Sequence, residues 1–92
     1  MIIRISEEGQ YEVPSSLLDD LNTIDNKIVE LVAMEKEGEY KAELSKLIKT
    51  IKIHGKKLDD SDIQESDIIV PPEDLTMIEA RKIFIGDGLL ED

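Results

Sequence analysis

The sequence predicts one small α+β domain, in which an N-terminal β-hairpin packs on an antiparallel αα-hairpin and a short C-terminal helix follows. Three observations favour this class. Residues 1–13 have the composition of two strands around a glycine, the middle of the chain carries two helical stripes of aliphatic residues, and a helix-capping motif lies near the C-terminus. With 92 residues the chain has room for one core, so we expect a single domain over residues 1–92.

Two strands open the chain. Residues 1–5 are rich in isoleucine, and residues 10–13 alternate polar with apolar side chains, with Gly9 in the loop between them. A short loop containing glycine between two such segments is typical of a β-hairpin. Because alternate residues of a strand share a face, we expect four of these side chains in the core: Ile3, Ile5, Tyr11 and Val13.

Two helices follow, each with an apolar stripe. Ser15 or Ser16 is the expected cap of the first helix, Gly38 is expected to end it as a left-handed cap, and Gly55 ends the second helix. The stripe of the first helix repeats every three or four residues: Leu17, Leu21, Ile24, Ile28 and Leu31. The stripe of the second helix repeats in the same way: Tyr40, Leu44, Leu47 and Ile51. Two such helices with a short connection are expected to pack as an antiparallel hairpin.

The last third of the chain adds a candidate strand and a short helix. Ile68–Val70 is β-branched and apolar, and it would extend the hairpin to a three-stranded sheet. Thr76 and Glu79 form a capping box for a last helix that runs to about residue 85. Its expected anchors are Ile78, Phe84 and Ile85. Beyond it, two leucines either fold back onto the core or stay exposed: Leu89 and Leu90.

The composition excludes several functional classes. The chain has no cysteine, which rules out a disulfide scaffold, a thiolate zinc site and a cysteine nucleophile. The formal net charge of −11 disfavours nucleic acid and anionic lipid as partners. No apolar run approaches the ~20 residues of a membrane span, and the N-terminus lacks the apolar region of a signal peptide. We therefore expect a cytoplasmic chain that does not cross a membrane.

The pattern of polar residues predicts no catalytic or metal site. His54 is the single histidine, and the spacing nominates neither a nucleophile nor an orienting carboxylate for it. A calcium loop that begins at Asp62 would place Asp67 where the turn requires glycine, and two prolines interrupt it. We expect no enzyme activity, no metal and no cofactor.

Two charged segments are the candidate partner-binding sites. The second helix carries three lysines in its second half: Lys46, Lys49 and Lys52. These lysines either attract acidic residues across the helical hairpin or form a separate basic strip that could bind an acidic coiled-coil partner. Residues 59–74 hold no Lys or Arg and begin with three aspartates: Asp59, Asp60 and Asp62. A solvated surface that keeps the domain soluble is the alternative for both segments.

Many short motifs, taken in order, carry a family resemblance. They are IIRI at 2–5, GQYEV at 9–13, LLDDLN at 17–22, Asp25, Gly55, Leu58, SDII at 66–69, Pro71, Asp74, Thr76, Glu79, Arg81, Gly86, Gly88 and Leu89. In this order and spacing the chain resembles the PspA-associated (PspAA) family over nearly its whole length. The resemblance implies an accessory protein of the phage-shock envelope-stress system. The implied partner is PspA, a coiled-coil membrane-remodelling protein akin to ESCRT-III, and the family supplies no catalytic residue to carry over.

Three functions are therefore open. The expected one is an adaptor that binds a PspA-like coiled-coil protein, modulates its assembly and reaches the membrane only through that partner. The second is an acidic inhibitor or antitoxin-like protein, which would mask a basic surface with residues 59–74. The third is an enzyme or ligand carrier, for which the sequence supplies no candidate set of residues. Pairing of an edge strand between two copies would give a homodimer, which also stays open.

Overall fold

A computed structural model describes residues 1–59, 61, 64–86 and 88–89, and these residues form an α+β domain. A 3-10 turn, Ser15–Leu17, precedes the first helix. The strands and helices in chain order are β1 (Ile2–Ile5), β2 (Gly9–Glu12), α1 (Leu18–Ala33), α2 (Glu37–His54), β3 (Lys56–Lys57), β4 (Ile68–Val70) and α3 (Met77–Ile83). The predicted class is confirmed, with N-terminal strands, a helical hairpin and a short C-terminal helix.

The sheet has four strands in the order β3-β2-β1-β4. β1 pairs with β2 antiparallel, with Ile3 opposite Tyr11, and with β4 parallel, with Ile3 opposite Ile68. The candidate strand Ile68–Val70 is confirmed. The sheet has one strand more than the two or three expected, because Lys56–Lys57, which the sequence analysis assigned to no strand, pairs with β2. After α2 ends, the chain turns back along β2, and the Leu58 N–H donates to the Gln10 carbonyl at 2.9 Å.

The core lies between the helical hairpin and one face of the sheet. The four strand residues expected in the core are buried, and so are both helical stripes, from Leu17 to Leu31 and from Tyr40 to Ile51. Burying one large aliphatic side chain contributes about 1.5–3 kcal/mol, whereas an exposed ion pair contributes about 0–1 kcal/mol. The stripes, and not the many surface charges, therefore hold the fold together.

The end of α2 packs directly against β2, and this contact requires a glycine. A Cβ atom on Gly55 would lie 2.5 Å from the Ile51 carbonyl oxygen and 2.8 Å from Cγ1 of Val13. Gly55 ends the helix as predicted. It does so in an extended conformation and not in the left-handed one, so its role is the close approach of helix and strand.

Both expected caps of α1 are wrong. Ser15 and Ser16 lie in the 3-10 turn before the helix, and neither the turn nor α1 begins with a side-chain cap. The backbone bond from the Leu17 N–H to the Pro14 carbonyl, 3.0 Å long, fixes this entry instead.

The C-terminal end of α1 is closed by a Schellman motif without glycine. Glu35 takes the left-handed conformation, with φ 59°. The Lys36 N–H donates to the Leu31 carbonyl at 3.0 Å, and the Glu35 N–H donates to the Val32 carbonyl at 3.1 Å. Gly38, the predicted cap, lies inside the first turn of α2.

The capping residue of α3 is confirmed, but two of its expected anchors are wrong. The Thr76 hydroxyl accepts a hydrogen bond of 3.3 Å from the Glu79 N–H. Ile78 and Ile85 are 73% and 62% exposed. The residues that face the core are Met77, Ala80 and Phe84. Ala80 lies four residues before Phe84 and Met77 three residues before Ala80, so all three share one side of this short helix.

A buried tyrosine links this last helix region to α2. Tyr40 packs edge-on against Phe84, with ring centroids 6.3 Å apart, and its hydroxyl donates to the Leu75 carbonyl at 2.9 Å. Burial, helped by the negative charges of Glu79 and Glu37, raises the pKa of Tyr40 from 10.0 to about 12. Above pH 10 the unfolded chain therefore loses this proton before the folded chain does. Stability is consequently lost as the pH rises from 10 towards 12.

We expect the substitution Tyr40→Phe to have two effects. At neutral pH the free energy of unfolding falls by about 1–3 kcal/mol, because the buried Leu75 carbonyl loses its donor. Between pH 9 and pH 11.5 the variant loses stability less steeply than the wild type, because the Tyr40 hydroxyl no longer titrates. Urea unfolding followed by far-UV circular dichroism across this range measures both effects, and equal slopes in the two proteins would contradict the second.

Candidate protein-interaction surface

Two of the three candidate lysines lie together on the solvent face of α2. Lys46 and Lys49 are exposed, and neither has an ion-pair partner among the residues that the structure describes. Lys52 instead donates to Glu8 in the loop between β1 and β2. The hydrogen bond to Glu8 raises the pKa of Lys52. The structure thus brings Lys46 and Lys49 together and assigns Lys52 to a contact with the sheet.

The lysines of α2 do not attract the acidic residues of α1 in close ion pairs. Within the described part of the chain, no salt bridge joins the two helices. The first of the two arrangements that the sequence left open, attraction across the hairpin through close ion pairs, is therefore not found among the described residues, and the separate basic strip stays a prediction.

An apolar residue that the sequence analysis did not single out lies in line with these lysines. Ile53 is 76% exposed. Five exposed residues repeat along α2 at spacings of three and four residues, and we call them the outer stripe: Glu39, Ala42, Lys46, Lys49 and Ile53. This is the spacing by which one helix packs along another. The same spacing rule, applied to polar as well as apolar residues, could have found Ile53.

The aspartates of the acidic segment are only partly described. Asp60 and Asp62 lie outside the described residues. Asp59 is exposed, and its carboxylate accepts hydrogen bonds from the backbone N–H of Ser61 at 3.1 Å and from the Ser61 hydroxyl at 3.0 Å. These two bonds, the backbone one first, lower the pKa of Asp59.

The end of the acidic segment is fastened to the face of the sheet that lies away from the helices. The Gln10 side chain donates to the Gln64 carbonyl and to the Ser66 hydroxyl, the latter at 2.7 Å, and accepts from the Gln64 N–H at 3.2 Å. The Asp67 carboxylate accepts from the Ile2 N–H at 2.8 Å. These side chains hold the chain as it passes from one edge of the sheet to the other, so part of the segment serves the fold.

A carboxylate is fully buried in the middle of α1. The Leu89 N–H donates to Oδ1 of Asp25 at 3.0 Å. Gly88, with φ 74°, approaches so closely that a Cβ atom there would lie 2.6 Å from the same oxygen. A buried carboxylate is costly unless it is hydrogen-bonded, and this contact with the tail offsets part of that cost. Leu89 thus folds back onto the core, whereas Leu90 lies outside the described residues.

The surroundings of Asp25 leave no space for a ligand. The cavity beside it has a volume of about 10 Å³. It is lined by Ile3, Leu21, Asp25, Leu47, Ile51, Ile68, Val70 and Leu89. A water molecule alone needs about 10–15 Å³ of such volume. The contact between Asp25 and the tail is therefore structural.

Larger clefts lie on the helical side of the molecule, and one of about 320 Å³ is lined by Asp20, Thr23, Ile24, Lys46 and Thr50. Two others are larger still. The first, about 400 Å³, separates α1 from α3; it is mostly apolar and includes the ion pair between Glu35 and Arg81. The second, about 390 Å³, runs between α1 and α2 and is lined mainly by polar side chains, including Lys46. His54 is exposed at the end of α2. Among the described residues, no three His, Asp or Glu side chains converge as metal ligands would.

None of the helices in the described part of the chain combines the length and the apolar character that a bilayer crossing requires.

The comparison with known proteins gives one result. A family model described as PspA-Associated protein matches residues 1–92, which is the whole chain. No curated protein and no solved structure was found to match. The description of the family links the chain to PspA as an accessory protein.

Several motif residues behind the resemblance contact one another in the fold. Gln10 binds Ser66, Leu89 binds Asp25, and Gly55 packs against Val13 in the GQYEV motif. Such contacts position strands, helices and the tail. These motif residues therefore serve the fold.

We expect the substitution Gly88→Ala to destabilise the domain more than Gly86→Ala does. Both glycines have positive φ, 74° and 59°, so an alanine at either position costs about 1–2 kcal/mol. A Cβ atom on Gly86 meets nothing within 4 Å, whereas one on Gly88 collides with the Asp25 carboxylate. Urea unfolding of the two variants measures the difference in the free energy of unfolding. Equal losses of this free energy would mean that the collision with Asp25 does not destabilise the domain.

Proposed function

Since the chain belongs to the PspA-associated protein family, we propose that it is a non-catalytic adaptor that binds a PspA-like coiled-coil protein. In this role it modulates the assembly of that partner in the membrane-stress response. The observation that carries the proposal is the outer stripe of α2, which combines two unpaired lysines with an exposed isoleucine at helix-packing spacing. Its partner would be a helix with acidic side chains beside a small apolar contact.

The charge of the outer stripe supports an acidic partner. Lys46 and Lys49 form a local basic surface on a domain whose net charge is −11. Charges at the rim of an interface mainly set the rate of association and its specificity, while buried apolar contacts supply affinity. Lys46 and Lys49 would therefore steer the partner, and burial of Ile53 would contribute up to about 1.5–3 kcal/mol.

The apolar stripes of the helices are already buried, which supports the outer face of α2 as the docking surface. Tyr40, Leu44 and Ile51 are buried against α1 and the sheet. A partner helix cannot reach them without unfolding the domain. The outer stripe lies on the opposite side of the same helix, where a second helix could pack without disturbing the core.

The non-catalytic part of the proposal rests on the lining of the clefts. The cleft between α1 and α3 is lined mainly by apolar residues, and its charged residues, Glu35 and Arg81, pair with each other. A catalytic site requires polar groups that converge on a reacting atom. The cleft between α1 and α2 is polar, but Lys27, Glu30 and Lys46 in its lining are exposed side chains on the outer surface of the helices.

The double variant Lys46→Glu/Lys49→Glu tests the adaptor role. Its affinity for the PspA-like protein of the same organism should fall at least about tenfold, because like charges facing each other across an interface cost more than 1.4 kcal/mol. Isothermal titration calorimetry or biolayer interferometry measures it. Lys52 is left unchanged, because it pairs with Glu8 and its loss would disturb the contact with the sheet.

A matched control is Lys56→Glu/Lys82→Glu, which changes the net charge equally at exposed lysines of β3 and α3 that, like Lys46 and Lys49, have no ion-pair partner among the described residues. It should bind as the wild type does. Unchanged affinity in Lys46→Glu/Lys49→Glu would remove the outer stripe as the docking surface. Binding that instead fell with Asp59→Lys and dropped steeply with salt would favour the acidic-inhibitor function.

A further inference from the structure

On and beside the outer stripe of α2 the two signs of charge are separated, and this pattern is complementary to itself. Glu39 and Glu43 lie in the N-terminal half and Lys46 and Lys49 in the C-terminal half, while Lys41, the cation of the N-terminal half, lies off the stripe and pairs with Glu37 at 3.5 Å. We propose that α2 of a second copy packs antiparallel along the outer stripe, so that the chain forms a two-fold symmetric homodimer. This inference concerns the chain alone and goes beyond the adaptor function.

The geometry of the helix allows a continuous contact of this kind. α2 has 18 residues, which corresponds to a length of about 27 Å. The outer stripe runs along most of this length at spacings of three and four residues, and its five members are exposed. Ala42 is the second of these five residues, and its small side chain lets two helices approach each other there.

A two-fold axis near Leu44 gives a register in which opposite charges meet. In that register Glu39 lies opposite Lys49 of the partner subunit, and Glu43 lies beside Lys46 of the partner subunit. Each contact occurs twice, as in every isologous interface. Ile53 then reaches the turn between α1 and α2 of the other copy, where Met34 is 52% exposed.

The ion pairs within each copy do not prevent these contacts between the two copies. Glu39 pairs with Lys36 at 3.8 Å, and both side chains are about half or more exposed to solvent. Such a pair contributes only about 0–1 kcal/mol and leaves Glu39 able to change partner. Lys46 and Lys49 form no ion pair within the described part of the chain.

Charge also selects the antiparallel arrangement over the parallel one. In a parallel pair the glutamates of the two copies would face each other, and so would the lysines. Like charges opposite each other are destabilising. The same outer stripe would take part in the dimer and in the adaptor contact, so the two contacts exclude each other.

The net charge of −11 on each copy opposes the dimer at long range. At about 0.15 M salt this repulsion is screened beyond about 8 Å, while charges in contact still interact. Two helices side by side give an interface at the low end of the usual size. We therefore expect a weak dimer, populated at roughly hundreds of micromolar protein.

Charge exchange between two single variants provides the test. Lys49→Glu and Glu39→Lys each place like charges opposite each other twice in their own homodimer, so each variant should be monomeric. In an equimolar mixture, the glutamates of the first variant face the lysines of the second at both contacts. The mixture should therefore form a heterodimer with an association constant within about threefold of the wild-type value, measured by sedimentation velocity at 0.15 M salt.

Two controls separate local from global effects of charge. Lys82→Glu has the same net charge as Lys49→Glu but changes a residue of α3, and it should dimerise as the wild type does. Glu39→Lys reduces the net negative charge, so a dimer limited only by overall repulsion would become stronger in this variant. Far-UV circular dichroism checks that each variant folds.

Three results would overturn the proposal. They are a monomeric wild type up to about 1 mM, single variants that associate as the wild type does, and a mixture that remains monomeric. None of these measurements involves the PspA-like protein. Failure of the dimer is thus distinct from failure of the adaptor function, which is measured by titration with that partner.

Discussion

The packing of α1 and α2 onto each other and onto one face of the sheet is the interaction on which the rest of the structure depends. The chain has two tyrosines, one phenylalanine and no tryptophan, so aliphatic stripes must supply most of the buried surface. Because these stripes are used within the domain, a partner can meet only the outer faces of the helices or of the sheet. The outer face of the sheet is partly covered by the chain around Gln64 and Ser66, which Gln10 holds in place. The solvent face of α2 carries two cations, Lys46 and Lys49, that have no ion-pair partner among the described residues.

Local periodicity explains how much of the fold the sequence could predict. Residues that meet within one helix or one hairpin lie close in the chain, and their spacing alone identified the buried stripes and Ile3, Ile5, Tyr11 and Val13. The ends of the elements were harder, because several conformations satisfy the same backbone groups. A Schellman motif at Glu35 closes α1 without the expected glycine. Strand β3 is two residues long, which is too short for an alternation of polar and apolar side chains to be recognised.

Contacts between distant residues account for most of what the sequence could not predict about the candidate site. Asp25 and Leu89 are 64 residues apart, and nothing in the local pattern of either residue identifies the other as its partner. Lys46 and Lys49 were identified from charge alone, while the pairing of Lys52 with Glu8 depends on how α2 lies over the sheet. Ile53 was missed because it follows Ile48 and Ile51, both buried, so a hydrophobic residue at this point of the helix did not stand out.

The neighbours of the central strand β1 lie at very different distances along the chain. Its antiparallel partner β2 is the next element along the chain, whereas its parallel partner β4 comes after both long helices. During synthesis, the hairpin and the helices can therefore form while one side of β1 still lacks its partner, and an unpaired strand edge is prone to association with other chains. The sheet is completed only when Ile68–Val70 leaves the ribosome. Proteolysis before β4 would consequently remove this edge strand and leave β1 as the new edge of the sheet, with the hydrogen-bonding groups on that side unpaired.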